Sequence, residues 1–304
     1  MYLPCQVTIR EVGPRDGFQS VTAFIPTADK LKIIAAVADA GVKWMETTSF
    51  VSRRAIPQLR DAADVMAGVL SPGASPEGMI HAAMVPNIKG AEHALTAGVD
   101  ELVAIVSASE AHNQANIRCS VDASMAEIEG ICSLAHSHKI PVTGAIAVTF
   151  GCPFQGDVPT SDVFNIVRAY AENGATSVIL ADTTGMATPI RVTDLVTDFM
   201  RRFSNVKPIL HFHNNRGIAM ANLLAALTVG ADTFDTALGG IGGCPYVPKA
   251  AGNLATEDVV FMLEDMGIET GINLSKIIDA ARVLEKKLGM TLPGQVMKSG
   301  PRHL

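Results

Sequence analysis

One phrase recurs four times along the chain: the end of a helix, a glycine, then a short apolar or β-branched run. It reads "ADAGVKWMETTSF", "LTAGVDELVAIVSA", "AENGATSVILADTTG" and "LTVGADTFDTALGG". Gly41, Gly98, Gly174 and Gly230 suit the left-handed residue that closes a helix. The run after each is short and continuously apolar, as in a parallel strand buried on both faces. Further strands fit between these phrases at "QVTIREVG", "MIHAAMVP", "PVTGAIAVTF" and "KPILHFHN". Helical stretches separate them, among them "TADKLKIIAAVADA", for which Thr27 is the expected N-cap. Strict alternation implies parallel strands joined by right-handed crossovers. Eight such units fit a closed (β/α)8 barrel of about 250 residues. The rival, an open doubly wound sheet, would carry a glycine-rich phosphate turn, and "EVGPRDG" is not one. The expectation is therefore an α/β chain with one TIM-barrel domain over residues 1–304. The barrel would take about 5–268 and a C-terminal helical extension about 269–304. The extension, "TGINLSKIIDAARVLEKKLGM", is amphipathic and is expected to pack on the barrel or on another subunit; a homo-oligomer, dimer or tetramer, is the expected assembly.

Composition narrows the function. A hydrophobic content of 48% is ample for a large core, and 18% charged residues argue against disorder. A net charge of −6 leaves no basic surface for nucleic acid. The five cysteines are scattered, with no CxxC pair, which fits a reduced, cytoplasmic protein rather than a disulfide scaffold or structural zinc site. The N-terminus lacks the pattern of a signal peptide, and no apolar run approaches the roughly 20 residues a membrane span needs.

In a barrel of this kind the carboxyl ends of the strands form the active face. Those ends offer Arg15, Asp16 and Gln19 from strand one, and Glu46, Thr47, Thr48 and Ser49 from strand two. Strand six adds Asp182 and Thr183; strand seven adds His211, His213, Asn214, Asn215 and Arg216. Two H-x-H pairs occur. His136 and His138 lie in a helix, where residues two apart diverge, so they read as solvated. His211 and His213 lie in a strand, share its interior face, and either join a buried hydrogen-bond network or hold a metal. Asp16 can supply a carboxylate to such a metal, and Asn253 either an amide oxygen or a helix N-cap. A mixed nitrogen and oxygen set suits Mg²⁺ or Mn²⁺, with Co²⁺ or Zn²⁺ as further candidates. The glycine-rich stretch "GGIGGCPYVP" after strand eight has the make-up of a lid, with Cys244 as an acid or base or as a packed thiol.

The stretches "EVGPRDGFQ", "ETTSFVS", "PNIKG", "FGCPFQG", "ADTTG", "HFHNNRG" and "GGIGGCPYVPKAAGNLATEDVVFML" resemble the 3-hydroxy-3-methylglutaryl-CoA lyase family of the DRE-TIM metallolyase superfamily. The resemblance spans about residues 7–267. It implies a TIM barrel and a divalent metal held by Asp16, His211 and His213, with Asn253 nearby. It also implies Arg15 facing a thioester carbonyl, Glu46 acting behind it, and Cys244 in proton transfer. Gln19, Ser49 and Thr183 are further residues expected to meet substrate, and Arg216 either pairs with a substrate carboxylate or forms a surface ion pair at a helix start. The implied reaction cleaves a 3-hydroxyacyl-CoA to acetyl-CoA and a keto acid such as acetoacetate, as in leucine degradation and ketone-body formation. Glycine-loop and "GNLATED" features favour the lyase branch over acyl-transferring synthases. A citramalyl-CoA-type lyase is the neighbouring alternative, and a non-catalytic acyl-CoA-binding barrel the alternative of another class.

The chain departs from the family pattern around the substrate. "HNNRG" stands for "HDTYG", so Asn214 replaces an aspartate and Arg216 a tyrosine. "LADTTG" carries Ala181 for a glycine, and "AHNQAN" lacks the lysines usual after "SASE". Arg53, Arg54 and Lys89 are basic residues near active-face loops, either solvated or facing the coenzyme's phosphates.

Overall fold

The computed structural model describes residues 3–243 and 251–302. The strands are β1 (Thr8–Glu11), β2 (Trp44–Ser49), β3 (Ile80–Val85), β4 (Glu101–Ser107), β5 (Val142–Ala147), β6 (Ser177–Asp182), β7 (Lys207–Phe212) and β8 (Thr233–Thr236). All pairings are parallel and run in sequence order, and β1 pairs with β8 to close the barrel. The four helix-ending glycines have φ values of 105°, 80°, 86° and 95° at Gly41, Gly98, Gly174 and Gly230. Each stops a helix where the chain must turn back to begin the next strand.

The core lies between the strands and the surrounding helices, where Val37, Met66, Leu102, Ile131, Phe199 and Phe234 are buried. Fully burying such a side chain contributes about 1.5–3 kcal/mol. The packing is close enough to dictate sequence. Tyr170, on the helix Thr160–Glu172, lays its ring on Gly144 of β5, where an added Cβ would sit 2.6 Å from the ring. Its hydroxyl donates to the Ala104 carbonyl at 2.7 Å, so the one buried polar atom of that ring is satisfied. A Gly144→Ala change would overpack this contact.

Thr27 is the first residue of its helix (Thr27–Asp39) rather than its cap, which is Pro26. Its hydroxyl donates instead to Asp61 Oδ2, a partner that local pattern cannot reveal. The segment 71–78 is loop, mostly exposed. His136 and His138 are exposed at the end of the helix Val121–Ser137.

The C-terminal helix Leu274–Leu288 buries Ile277, Ile278, Ala281 and Leu284, and Asn273 caps it by accepting from Lys276 N. It docks against the helix Thr27–Asp39, where Asn273 N donates to the Ala40 carbonyl at 2.7 Å. The chain then returns to the carboxyl end of β8, where Gly294 N donates to the Gly239 carbonyl at 2.9 Å. Among the described residues no helix is long and apolar enough to cross a membrane.

Candidate active site

β1 ends in a single π-helical turn, Gly13–Gly17, with Pro14 at its start. The Val12 carbonyl accepts from both Arg15 N and Asp16 N, which widens the turn and delivers two adjacent charged side chains over the barrel mouth. Both are buried, at 8% and 5% exposure. The Arg15 guanidinium is fixed from two sides: Nε donates to Glu46 Oε2 at 2.5 Å and Nη1 to Asp16 Oδ1 at 2.7 Å. Gln19 Nε2 donates to the same Asp16 oxygen at 2.8 Å. A surface ion pair contributes little, but this pair is buried and shared with Glu46.

Asp16, His211 and His213 converge, with ligand-type atoms all within 4.8 Å of one another. The two imidazoles face each other through their Nε2 atoms at 3.1 Å, and His213 Nε2 lies 3.5 Å from Asp16 Oδ2. Their Nδ1 atoms are engaged elsewhere. His213 Nδ1 donates to the Thr183 carbonyl at 2.7 Å, and His211 Nδ1 to Asp235 Oδ2 at 3.3 Å. Each ring thus turns its Nε2 lone pair toward the common centre, as in histidine metal ligands held by an acceptor on the far nitrogen. Asn253 completes the set. Its amide nitrogen donates to Asp16 Oδ2 at 2.7 Å and to the Ile241 carbonyl at 3.0 Å. Its Oδ1 is buried and without a hydrogen-bond partner among the described residues. An orphaned amide oxygen beside two imidazoles and a carboxylate fits a hard divalent cation. The alternative, helix capping, fails: the helix Thr256–Asp265 begins three residues later with Ala255 as its cap and no side-chain cap bond. Gly242 sits against this cluster at φ 129°, where a Cβ would collide with Asn253 Nδ2.

Burial and charge act in opposition here. Burial alone would raise the Asp16 carboxyl, but Arg15 and His213 outweigh it and hold Asp16 well below the ordinary carboxylate range. Burial raises Glu46 to about 7 despite Arg15 beside it. Burial likewise raises Asp182 to about 6, against the Ala187 and Met186 amides that its Oδ1 accepts.

The other expected residues fall into distinct places. Ser49, at the end of β2, is buried with its hydroxyl unpartnered among the described residues. It also lines a cavity of about 960 Å³ that runs outward past Phe50 to Arg53, Arg54 and Lys89. The Thr183 hydroxyl accepts from Val148 N at 2.9 Å, while its carbonyl orients His213. Arg216 is exposed, and its Nη1 donates to the Thr184 and Gly185 carbonyls at 2.8 and 2.9 Å. Asn214 N donates to the Gly252 carbonyl and Asn215 Oδ1 accepts from Ala251 N, so "HNNRG" ties the exit of β7 to the chain just before Asn253. Cys244 lies outside the described residues.

Sequence reading missed Asp235. A lone acid in the buried strand "TFDT" was the available signal, because an interior carboxylate must be partnered.

Comparison with known proteins gives a consistent picture. The HMGL-like family model matches residues 6–284. A hydroxymethylglutaryl-CoA lyase of Bacillus subtilis is 41% identical over 98% of this chain and 100% of its own length. The human mitochondrial hydroxymethylglutaryl-CoA lyase is 37% identical, over 98% of this chain and 90% of its own. Among solved structures, an HMG-CoA lyase of Acinetobacter baumannii in complex with coenzyme A and 3-methylmalate superposes with a TM-score of 0.93. It is 39% identical and covers 100% of this chain and 98% of that one.

Proposed function

The chain belongs to the HMGL-like family, and from that premise we propose that it is a carbon–carbon lyase that cleaves 3-hydroxy-3-methylglutaryl-CoA to acetyl-CoA and acetoacetate. The observation that carries this reading is the convergence of Asp16, His211 and His213 beside an Arg15 clamped by two carboxylates.

Asp16, His211, His213 and the Asn253 amide oxygen would hold a divalent cation, with two nitrogens and two oxygens forming a mixed set that suits Mg²⁺ or Mn²⁺. When bound, such an ion supplies Lewis acidity toward the substrate's 3-hydroxyl and carboxylate.

The chain's own residues account for the rest. The bond between C2 and C3 breaks, its electron pair passes into the thioester, and the 3-hydroxyl carbon becomes the ketone of acetoacetate. Negative charge grows on the thioester oxygen. Arg15, held by Glu46 and Asp16, is a cation already in place to receive it. The 3-hydroxyl proton leaves, and C2 of the enolate takes up a proton to give acetyl-CoA. Cys244 is assigned to that proton transfer by its place in the glycine loop. Ser49, with a buried, unpartnered hydroxyl on the lining of the large cavity, and Gln19 are assigned to the acyl part of the substrate. The coenzyme would run along the cavity, with its phosphates near Arg53, Arg54 and Lys89.

The test is turnover of 3-hydroxy-3-methylglutaryl-CoA and of citramalyl-CoA after chelation and after metal addition. Acetoacetate formation restored by Mg²⁺ or Mn²⁺ is the expected result. A preference for the citramalyl thioester would move the assignment to the neighbouring reaction. Binding of acyl-CoA with no cleavage of either would make the barrel a binding protein.

A further inference from the structure

Beneath the site, inside the barrel, lies a charged group that the reaction does not use. Arg10, on β1, is 4% exposed. Its guanidinium lies 3.3 Å from the centre of the Trp44 ring. Arg10 Nε is 3.2 Å from Asp235 Oδ1, and Nη1 is 3.9 Å from Glu101 Oε1. The two carboxylates differ in what else they touch. Glu101 accepts from Trp44 Nε1 at 2.8 Å and from the Thr143 hydroxyl at 2.6 Å, so it belongs to the barrel's own packing. Asp235 instead turns its second oxygen to His211 Nδ1.

This arrangement follows from strand register. Arg10 pairs with Asp235 across β1 and β8, and Asp235 pairs with His211 across β8 and β7. Register partners in parallel strands project to the same side, so the three side chains form one interior row ending at the metal-type ligands. The contact with Arg10 is ionic rather than a hydrogen bond, since Arg10 Nε and Asp235 Oδ1 have no hydrogen-bond partner among the described residues; the cation offsets the cost of burying the carboxylate, while His211 meets its other oxygen.

We propose that Arg10 is a positioning residue for the metal centre: it holds Asp235, and Asp235 in turn fixes the ring of His211. This rests on the metal-site reading above. It adds a reason why an arginine stands in the floor of the barrel.

The experiment measures Mn²⁺ affinity by electron paramagnetic resonance titration, together with thermal unfolding of the metal-free protein. Wild type, His213→Ala, Arg10→Lys, Asp235→Asn, the double variant and Glu101→Gln are compared. Loss of a residue that orients a metal ligand weakens metal binding by about 10- to 100-fold. Asp235→Asn is expected in that range and Arg10→Lys near its lower end. The double variant should be no weaker than Asp235→Asn alone, since both changes act on one chain of contacts. Glu101→Gln should lower the unfolding temperature yet weaken Mn²⁺ binding less than Asp235→Asn does, because Glu101 meets the row through Arg10 at 3.9 Å rather than through Asp235. Wild-type affinity in Arg10→Lys, additive losses in the double variant, or an equal loss in Glu101→Gln would each overturn the proposal. Arg10→Gln, which keeps a donor without a buried charge, is held to the same criteria should the lysine variant not fold. If wild type and His213→Ala bind Mn²⁺ equally, the metal-site reading itself has failed, and the two failures are thereby distinguished.

Discussion

His211 and His213 stand two residues apart and turn the same nitrogen toward the same centre, yet they are held by different parts of the molecule. His211 is supported from within the barrel, by the interior row that runs through Asp235 to Arg10. His213 is supported at the rim, by the Thr183 carbonyl of the loop after β6. That loop is itself fixed by the Thr183 hydroxyl, by Asp182, and by Arg216 reaching over to two further carbonyls. The interior support is a few charged side chains locked by strand register. The rim support is a larger set of bonds, mostly to backbone groups, that includes the Asp182 carboxylate and the Arg216 guanidinium. One broken link should therefore cost more below the site than above it.

The largest effect tests what the two histidines share. Chelation should abolish turnover, Mg²⁺ or Mn²⁺ should restore it, and His213→Ala should purify with little metal when content is measured by elemental analysis. Equal metal content in wild type and His213→Ala would remove His213 from the site and end the comparison.

Arg15 comes next, because it belongs to neither support. Arg15→Gln should lower kcat by about 10²- to 10³-fold, the range for losing one donor to a developing oxyanion. The change in KM should be far smaller, because the lost contact forms in the transition state. Steady-state kinetics on one thioester suffice, and an effect confined to KM would recast Arg15 as a binding residue.

Arg216 sharpens the contrast from the rim. With its Nη1 taken up by the Thr184 and Gly185 carbonyls, Arg216→Tyr should reduce kcat/KM by a similar few-fold on methylglutaryl and citramalyl thioesters. A tenfold change in the ratio between substrates, roughly 1.4 kcal/mol, would show instead that this guanidinium reads the acyl group.

The smallest effect concerns stability rather than turnover. Burial raises Glu257 to about 8 and Glu11 to about 7, at the joint where β1 and β8 meet. Glu11 there accepts from Gly13 N, Leu238 N and the Thr256 hydroxyl, and Glu257 from Gly239 N. A carboxyl with a raised pKa keeps its proton longer in the folded state than in the unfolded one. Its contribution to stability therefore falls as pH rises from the unfolded value near 4.5 through the folded value near 8. Glu257→Gln should flatten that part of the unfolding-temperature profile relative to wild type. Parallel profiles would show that Glu257 is ionised in the folded protein.

The barrel was legible from the chain because it is written locally. Helix-ending glycines and doubly buried apolar runs repeat with a spacing that only alternating strands and helices satisfy, and the φ values at Gly41, Gly98, Gly174 and Gly230 agree. The histidine pair was legible for the same reason: a spacing of two means one thing on a strand and another on a helix. Asn253 was not. Its position ahead of a helix fits a cap, and only the fold shows its amide turned to Asp16. Thr27 was read as a cap and proved to be bonded to Asp61, 34 positions away.

The sequence by itself determined the alternation of elements, the short list of side chains at the strands' carboxyl ends, and the family resemblance carried by their motifs. Tertiary structure alone decided which of those side chains share a partner. Closing β1 onto β8 brings Arg10, Asp235 and His211 into one row, although 225 positions separate the arginine from the aspartate. No pattern of period two or 3.6 encodes such a row. It arises from the register of strands whose neighbours are fixed only when the last strand meets the first.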